Sequence, residues 1–340
     1  MRRNIFAPAT APAPDITRPG FSLFRKGASA CAVSFYVLIF MLAAAGTAHA
    51  QLNGLHLKGD AGLDSGSQAP PGPYYGVLYY NYATSRINNQ SGTQVNPNGS
   101  IDVGAGLGLI SVVTKQKILG ANYGFAVIPL AGLNTALESP RVSKGTGAGF
   151  GDTYIQPINL GWHFAPADVT AGFGIYLPTG RYTANNPNGD NTGLGMWGFE
   201  PSIGTTVHLN KTKTWNASAL ASFEFNTNKR DSKQHVGDLL TLEGGLGRKF
   251  LKGAANVGVA YYVQWKLTQD TLTGLPALLV NGKNSSAALG PELTIPLATK
   301  SKLYGFFTVR YEFEVYARTT TQGNALILMA VFPFKPIKLK

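Results

Sequence analysis

The sequence predicts an all-β fold, a transmembrane up-and-down antiparallel β-barrel of about 12 strands with short periplasmic turns and longer extracellular loops. Three observations predict it. Runs in which apolar and polar residues alternate with period two recur from residue 74 to the C-terminal end. The connections between those runs alternate short and long. Finally, the chain is too apolar for disorder, with 14% charged residues and a mean hydropathy of zero, yet nothing after residue 50 approaches the ~20 consecutive apolar residues of a membrane-crossing helix. A closed barrel is the remaining way to cross a bilayer, because it leaves no backbone hydrogen-bonding group unpaired in hydrocarbon.

Residues 1–50 read as an export signal with an extended n-region. Arg25 and Lys26 precede an apolar run from Ala30 to Gly46, which ends at the small-x-small triplet Ala48, His49, Ala50. Sec-dependent export with cleavage near Ala50 is therefore expected, with the outer membrane of a Gram-negative bacterium as the destination. The Pro/Ala-rich stretch over residues 1–24 is read as a misassigned start. Cys31, the only cysteine, lies in the segment to be removed, so no disulfide framework is expected. Removing 5 of the 29 basic residues and 1 of the 17 acidic ones leaves 24 and 16, a net charge of +8. No Lys/Arg cluster is interleaved with aromatics, which argues against a nucleic-acid partner.

Residues 51–73 are rich in Gly, Ser and Pro and show neither helical nor strand periodicity. They are expected to form a periplasmic tail or a plug inside the lumen. The barrel is placed over 74–334, with strands at about 74–86, 103–118, 121–132, 152–164, 168–178, 197–209, 214–226, 239–250, 254–266, 286–297, 302–317 and 324–334. Residues 335–340 form a short tail. Over a mature length of 290 residues this is about 24 residues per strand and loop, longer than the rhythm of a soluble sandwich.

Each strand has two unlike faces. One carries residues such as Phe199, Ile203 and Val207, then Val257, Val259 and Tyr261, then Phe307, Val309 and Tyr311. The other carries Glu200, Glu224, Glu243, Lys266, Glu292, Arg310 and Glu312. Parity alone does not say which face is inside; a soluble lipid-carrying barrel would have the apolar one within. The tryptophans favour lipid outside. Trp162, Trp197, Trp215 and Trp265 all have the apolar parity and all fall at strand ends, two near short turns and two near long loops, as an aromatic girdle requires. Pro129, Pro157, Pro201, Pro291 and Pro296 lie within strands, where each lacks a ladder N–H, so bulges or shortened pairing are expected there.

Several long blocks resemble one family in order along the chain: GDTYIQPINLGWH (151–163), ADVTAGFGIYLPTGRY (167–182), GLGMWGFEPSIGTTVHL (193–209), KTWNASALASFEF (213–225), VGDLLTLEGGLGRKFL (236–251) and VGVAYYVQWKLTQD (257–270). PPGPYYGVLYYNYAT (70–84) is similar to its first strand. The family is that of the meta-pathway phenol-degradation proteins, outer-membrane β-barrels. The resemblance implies an exported barrel that passes small hydrophobic or aromatic solutes inward, but brings no assigned functional residues. Barrels of this kind usually end on an aromatic, whereas here KPIKLK follows Phe334.

The expected function is thus an outer-membrane channel for uptake of small hydrophobic or aromatic compounds, and not an enzyme. The bilayer and the solute are its partners. Two other readings stay open on the residues alone, an outer-membrane enzyme acting on lipid and a structural surface barrel. No nucleophile, base and orienting group stand in a recognisable pattern, no Cys/His set has metal spacing, and no cofactor is expected. The inward charges either set selectivity across a narrow lumen or pair with one another and fill it. Twelve strands fall between a filled barrel of eight and an open one of sixteen, so a constricted lumen is expected.

Overall fold

The computed structural model describes residues 54–95, 98–139, 142–184, 190–251, 255–271 and 283–338. The export signal expected over 1–50, and parts of the long loops at 179–196 and 267–285, lie outside the described residues. The strands are β1 (Gly72–Thr84), β2 (Ser100–Ile118), β3 (Ala121–Ile128), β4 (Leu130–Ser139), β5 (Val142–Thr146), β6 (Thr153–His163), β7 (Ala167–Leu177), β8 (Gly198–His208), β9 (Trp215–Asn226), β10 (Leu239–Phe250), β11 (Ala255–Lys266), β12 (Ser285–Ala298), β13 (Lys302–Arg318), β14 (Asn324–Pro333) and β15 (Ile337–Lys338).

Neighbours in sequence pair antiparallel around the sheet, and β1 closes it by pairing both β2 and β14. The result is a closed barrel of twelve staves. β3 and β4 are the two halves of the third stave, and β5 and β6 those of the fourth; hydrogen bonds from Gly151 N–H to the Leu130 carbonyl and from Leu133 N–H to the Gly149 carbonyl join them between the halves. β15 is a two-residue addition to the base of β13.

The prolines act in three ways. Pro129 splits the third stave, since it offers no N–H to the ladder, and Gly132 just beyond it takes a left-handed φ of 74°. Around Pro157 the register slips between Ile155 and Ile158 against β7, and between Gly124 and Ala126 on β3. Pro201 and Pro291 stay in register opposite Phe173 and Val259, while pairing with the other neighbour skips them without a slip, so no bulge forms at either. Pro296 is paired with Phe306, and the register shifts one step later, at Leu297/Ala298.

β2 begins at Ser100, three residues before the alternation predicts, and other boundaries differ as well. β1 begins at Gly72, and the third stave runs past residue 132 to Ser139, where it turns back as the β4/β5 hairpin. Past residue 132 polar residues of both parities, Asn134 and Thr135, are buried, so the alternation that marks a strand fades while the ladder continues. The tightest short turn, Leu119–Gly120, has φ of 52° and 83°, the doubly left-handed pair a two-residue hairpin needs.

The outside of the barrel is apolar and the inside polar. Ile203 is 59% exposed and Val259 50%, whereas Arg310 is 2% exposed and Glu243 1%. In water this arrangement would leave a continuous apolar belt wet around buried charges, the reverse of a soluble fold. No helix among the described residues is long and apolar enough to cross a membrane; crossing is by strands.

Candidate functional site: a cavity above a threaded segment

Residues 54–68 run through the barrel interior, and their backbone is hydrogen-bonded by inward side chains of the wall. Glu224 of β9 accepts the N–H groups of Leu55 and His56 at 2.7 and 2.8 Å. Glu243 of β10 accepts those of Gly59 and Ala61 at 2.5 and 3.2 Å, and Glu292 of β12 that of Leu63 at 3.2 Å. In return Asn216 and Ser218 of β9 donate to the carbonyls of Leu63 and Gly62, and Arg310 of β13 to that of Gly59. A segment with no periodicity of its own therefore has its backbone groups satisfied by the wall, as burial demands.

Side chains complete the fit. Leu55 packs with Met196, Val236 and Leu239, and Leu57 with Tyr80 and its neighbours, while Leu63 is 1% exposed. Lys58 reaches Glu314 of β13 at 2.7 Å, over the rings of Tyr82 and Tyr262, whose hydroxyls donate to the same carboxylate. Gly59 must be glycine on two counts. Its φ is 79°, and a Cβ there would collide with the Glu312 carboxylate.

Above this segment lies a cavity of about 390 Å³ with two unlike walls. Val103, Ala105 and Leu107 of β2 with Ile128, Leu130 and Leu133 of the third stave make one side apolar. Tyr154, Gln156, Tyr176, Glu200, Ser202 and Ser222 make the opposite side polar. His56, Lys58 and Asp60 of the threaded segment line its floor. Glu200 is the hub of the polar wall, accepting the hydroxyls of Tyr176 and Tyr154 at 3.0 and 3.2 Å and meeting His56 Nδ1 at 2.7 Å. Burial lowers the pKa of His56, but Glu200 and Glu243 outweigh it and hold the imidazole well above its ordinary value.

Of the inward charges singled out in the sequence, Glu200, Glu224, Glu243, Glu292, Arg310 and Glu312 are all buried in the lumen. Arg310 pairs with Glu292 at 2.8 Å. Glu312 is 1% exposed and neither of its carboxylate oxygens has a hydrogen-bond partner. Lys266 stands apart, with its ammonium on Asp270 at 2.6 Å at the long-loop end. Trp162 and Trp215 sit at the short-turn rim, where Trp162 Nε1 donates to the Leu119 carbonyl and Arg248 stacks 5.5 Å from the Trp215 ring. Trp197 and Trp265 sit at the long-loop rim, 46% and 39% exposed. His56, Lys58, Asp60 and Glu314 are as central as the residues anticipated. The first three lie in a stretch where Leu55, His56, Leu57 and Lys58 alternate over too short a run to register.

An apolar exterior around a closed ladder and a charged interior defines a transmembrane β-barrel of the outer-membrane type. The chain belongs to the family described as "Putative MetA-pathway of phenol degradation", whose profile matches residues 84–330. Among solved structures it is similar to the COG4313 outer membrane channel from Pseudomonas putida F1, at 14% identity over 82% of this chain and 99% of that one, with a TM-score of 0.64. That likeness shows a shared fold. The CymD monoaromatic hydrocarbon channel (9% identity, 78% of this chain and 89% of that one, TM-score 0.38) and the KdgM porin in complex with disordered oligogalacturonate (9%, 76% and 99%, 0.38) are too distant to carry an argument. No match was found among curated proteins.

Proposed function

We propose that the protein is an outer-membrane channel for uptake of small hydrophobic or aromatic compounds, exported by the Sec route and cleaved near Ala50. The two-walled cavity is the observation that carries this reading. A ring would lie against Val103, Leu107 and Leu130, and a single polar substituent would reach Tyr154, Gln156 or Tyr176 across from them. Engineered apolar cavities of ~150 Å³ hold benzene, so 390 Å³ takes a monoaromatic with room for water. Family membership and the shared channel fold support the same reading. In it, Glu200, Glu224, Glu243, Glu292 and Arg310 set the selectivity of the passage by fixing the threaded segment in place, Glu312 adds its charge beside them, Lys266 contributes at the outer mouth, and the four tryptophans anchor the barrel at the two interfaces.

The test is uptake of labelled phenol or toluene at low concentration by cells with an intact outer membrane. Val103→Trp fills the apolar side, and the expected initial rate falls at least several-fold, while Ile203→Trp on the lipid side leaves it unchanged. Equal rates in both variants and in a strain lacking the protein would overturn the proposal. Release of fatty acid from bilayer lipid by the purified protein would favour an enzyme instead.

A further inference from the structure

We infer that His56, Asp60 and Glu243 form a binding site for one divalent first-row metal ion, which latches the threaded segment to the barrel wall. The donor atoms of the three residues all lie within 4.8 Å of one another, close enough to share a single ion. Two of the residues belong to the threaded segment and the third to β10, so an ion held by all three bridges plug and wall.

The histidine provides the second observation. Its side chain is 4% exposed, and Nδ1 is engaged by Glu200 at 2.7 Å. Nε2, on the far side of the ring, has no hydrogen-bond partner and faces Glu243 Oε1 at 3.4 Å, too long for a good bond. With Nδ1–H donating to Glu200, a metal ion that displaces the Nε2 proton takes up the lone pair that nitrogen then aims at the carboxylates. A carboxylate behind the imidazole, fixing its tautomer and orienting the free nitrogen, is the usual support for a metal-bound histidine. The carboxylates are likewise oriented. Glu243 is held by the N–H groups of Gly59 and Ala61, which lie on either side of Asp60 in the chain.

Charge balance points the same way. Inside the lumen Glu200, Glu224, Glu243, Glu292, Glu312, Glu314 and Asp60 face His56, Lys58 and Arg310, so these anionic groups outnumber the cations, and all of them but Asp60 are buried. Uncompensated buried charge is costly, and a divalent cation relieves it where the carboxylates crowd. One imidazole and two carboxylates suit Zn²⁺ or Mn²⁺ better than Mg²⁺ or Ca²⁺, which prefer oxygen alone, or Cu⁺, which prefers sulfur. Asp60 lines the cavity floor, which leaves the remaining coordination positions open to water there. The inference does not depend on the identity of the transported solute.

The experiment uses the full mature protein in detergent, stripped with chelator and passed through a desalting column. After equilibration with Zn²⁺ and removal of free metal, about one equivalent is expected to remain, and the thermal unfolding midpoint is expected to rise. Glu200→Gln should weaken Zn²⁺ binding by about 10–100-fold through loss of the orienting carboxylate. His56→Gln and Asp60→Asn should abolish it, whereas a His163→Gln/His208→Gln double variant at the short-turn end keeps it. Folding of each variant is checked by its heat-modifiable migration on gels. No retained zinc in the wild-type protein, or retention that His56→Gln leaves unchanged, overturns the site and leaves His56 as an imidazolium held between Glu200 and Glu243.

Discussion

Excision of residues 54–68 is expected to raise single-channel conductance by roughly an order of magnitude and to make the pore cation-selective. A barrel of twelve strands is wider than one its own side chains can fill, and here the wall side chains reach the segment instead of one another. Glu224, Glu243 and Glu292 spend their acceptors on its N–H groups, and Asn216 and Ser218 donate to its carbonyls. Without it those groups would line a water-filled lumen in which six inward glutamates face Arg310, and a ring of carboxylates favours cations. The barrel itself should survive, because β1 pairs with β14 and β2 through ladders that do not involve the segment. Gly59→Val gives a gentler version: with a φ of 79° and no room for a Cβ, the segment is expected to detach locally and conductance to rise by less. Planar-bilayer recording checks both, and equal conductance in the excised and intact proteins would mean that the segment does not control the passage.

Arg310→Met is expected to cost about 3–5 kcal/mol of stability, the range for breaking a buried ion pair by removing one partner. Arg310 is the largest fully buried side chain among the described residues, 2% exposed. It holds Glu292 at 2.8 Å, donates to the Gly59 carbonyl, and is the cation of the cluster that includes Glu312. Its loss leaves carboxylates without a counter-charge in a confined space. The Arg310→Met/Glu292→Met double variant removes both partners and should recover part of the loss, since most of the single-variant cost is the stranded charge. Denaturant unfolding in detergent micelles measures both midpoints. A single variant within 1 kcal/mol of wild type would show that the pair is solvated.

The barrel was legible because a lipid-facing strand must alternate. In β11, Val257, Val259, Tyr261, Val263 and Trp265 fall on one parity and Asn256, Gln264 and Lys266 on the other, and lipid permits no other pattern at that depth. The same logic made the inward glutamates visible. It hid two features where the constraint lapses. In the β4/β5 hairpin the neighbours Asn134 and Thr135 are both buried although they have opposite parity, so they mark no side. The threaded segment is held by hydrogen bonds from its backbone to distant strands, 169 residues away for Leu55 and Glu224 and 140 for Gly66 and Thr206, and such bonds leave no local period to read. Its glycines at 59, 62 and 66 were the usable sign, since each lies where a Cβ would strike the wall. Pro129 and Pro157 were read correctly as breaks in the ladder. At Pro201 and Pro291 the expected break takes the form of a gap in pairing with one neighbour, not a bulge, because the missing N–H is absorbed on one side of the strand without moving the register.

The whole account depends on lipid surrounding the barrel while water fills the space above the threaded segment. The mature chain is expected to be free of cysteine, so single-cysteine spin labelling is clean. A nitroxide at Val259, reconstituted in bilayers, should collide readily with lipid-soluble oxygen and poorly with a water-soluble nickel chelate. One at Gln156, facing the cavity, should show the opposite ratio. If the label at Val259 instead reports nickel access with little oxygen, the apolar face does not meet hydrocarbon and the membrane barrel is contradicted.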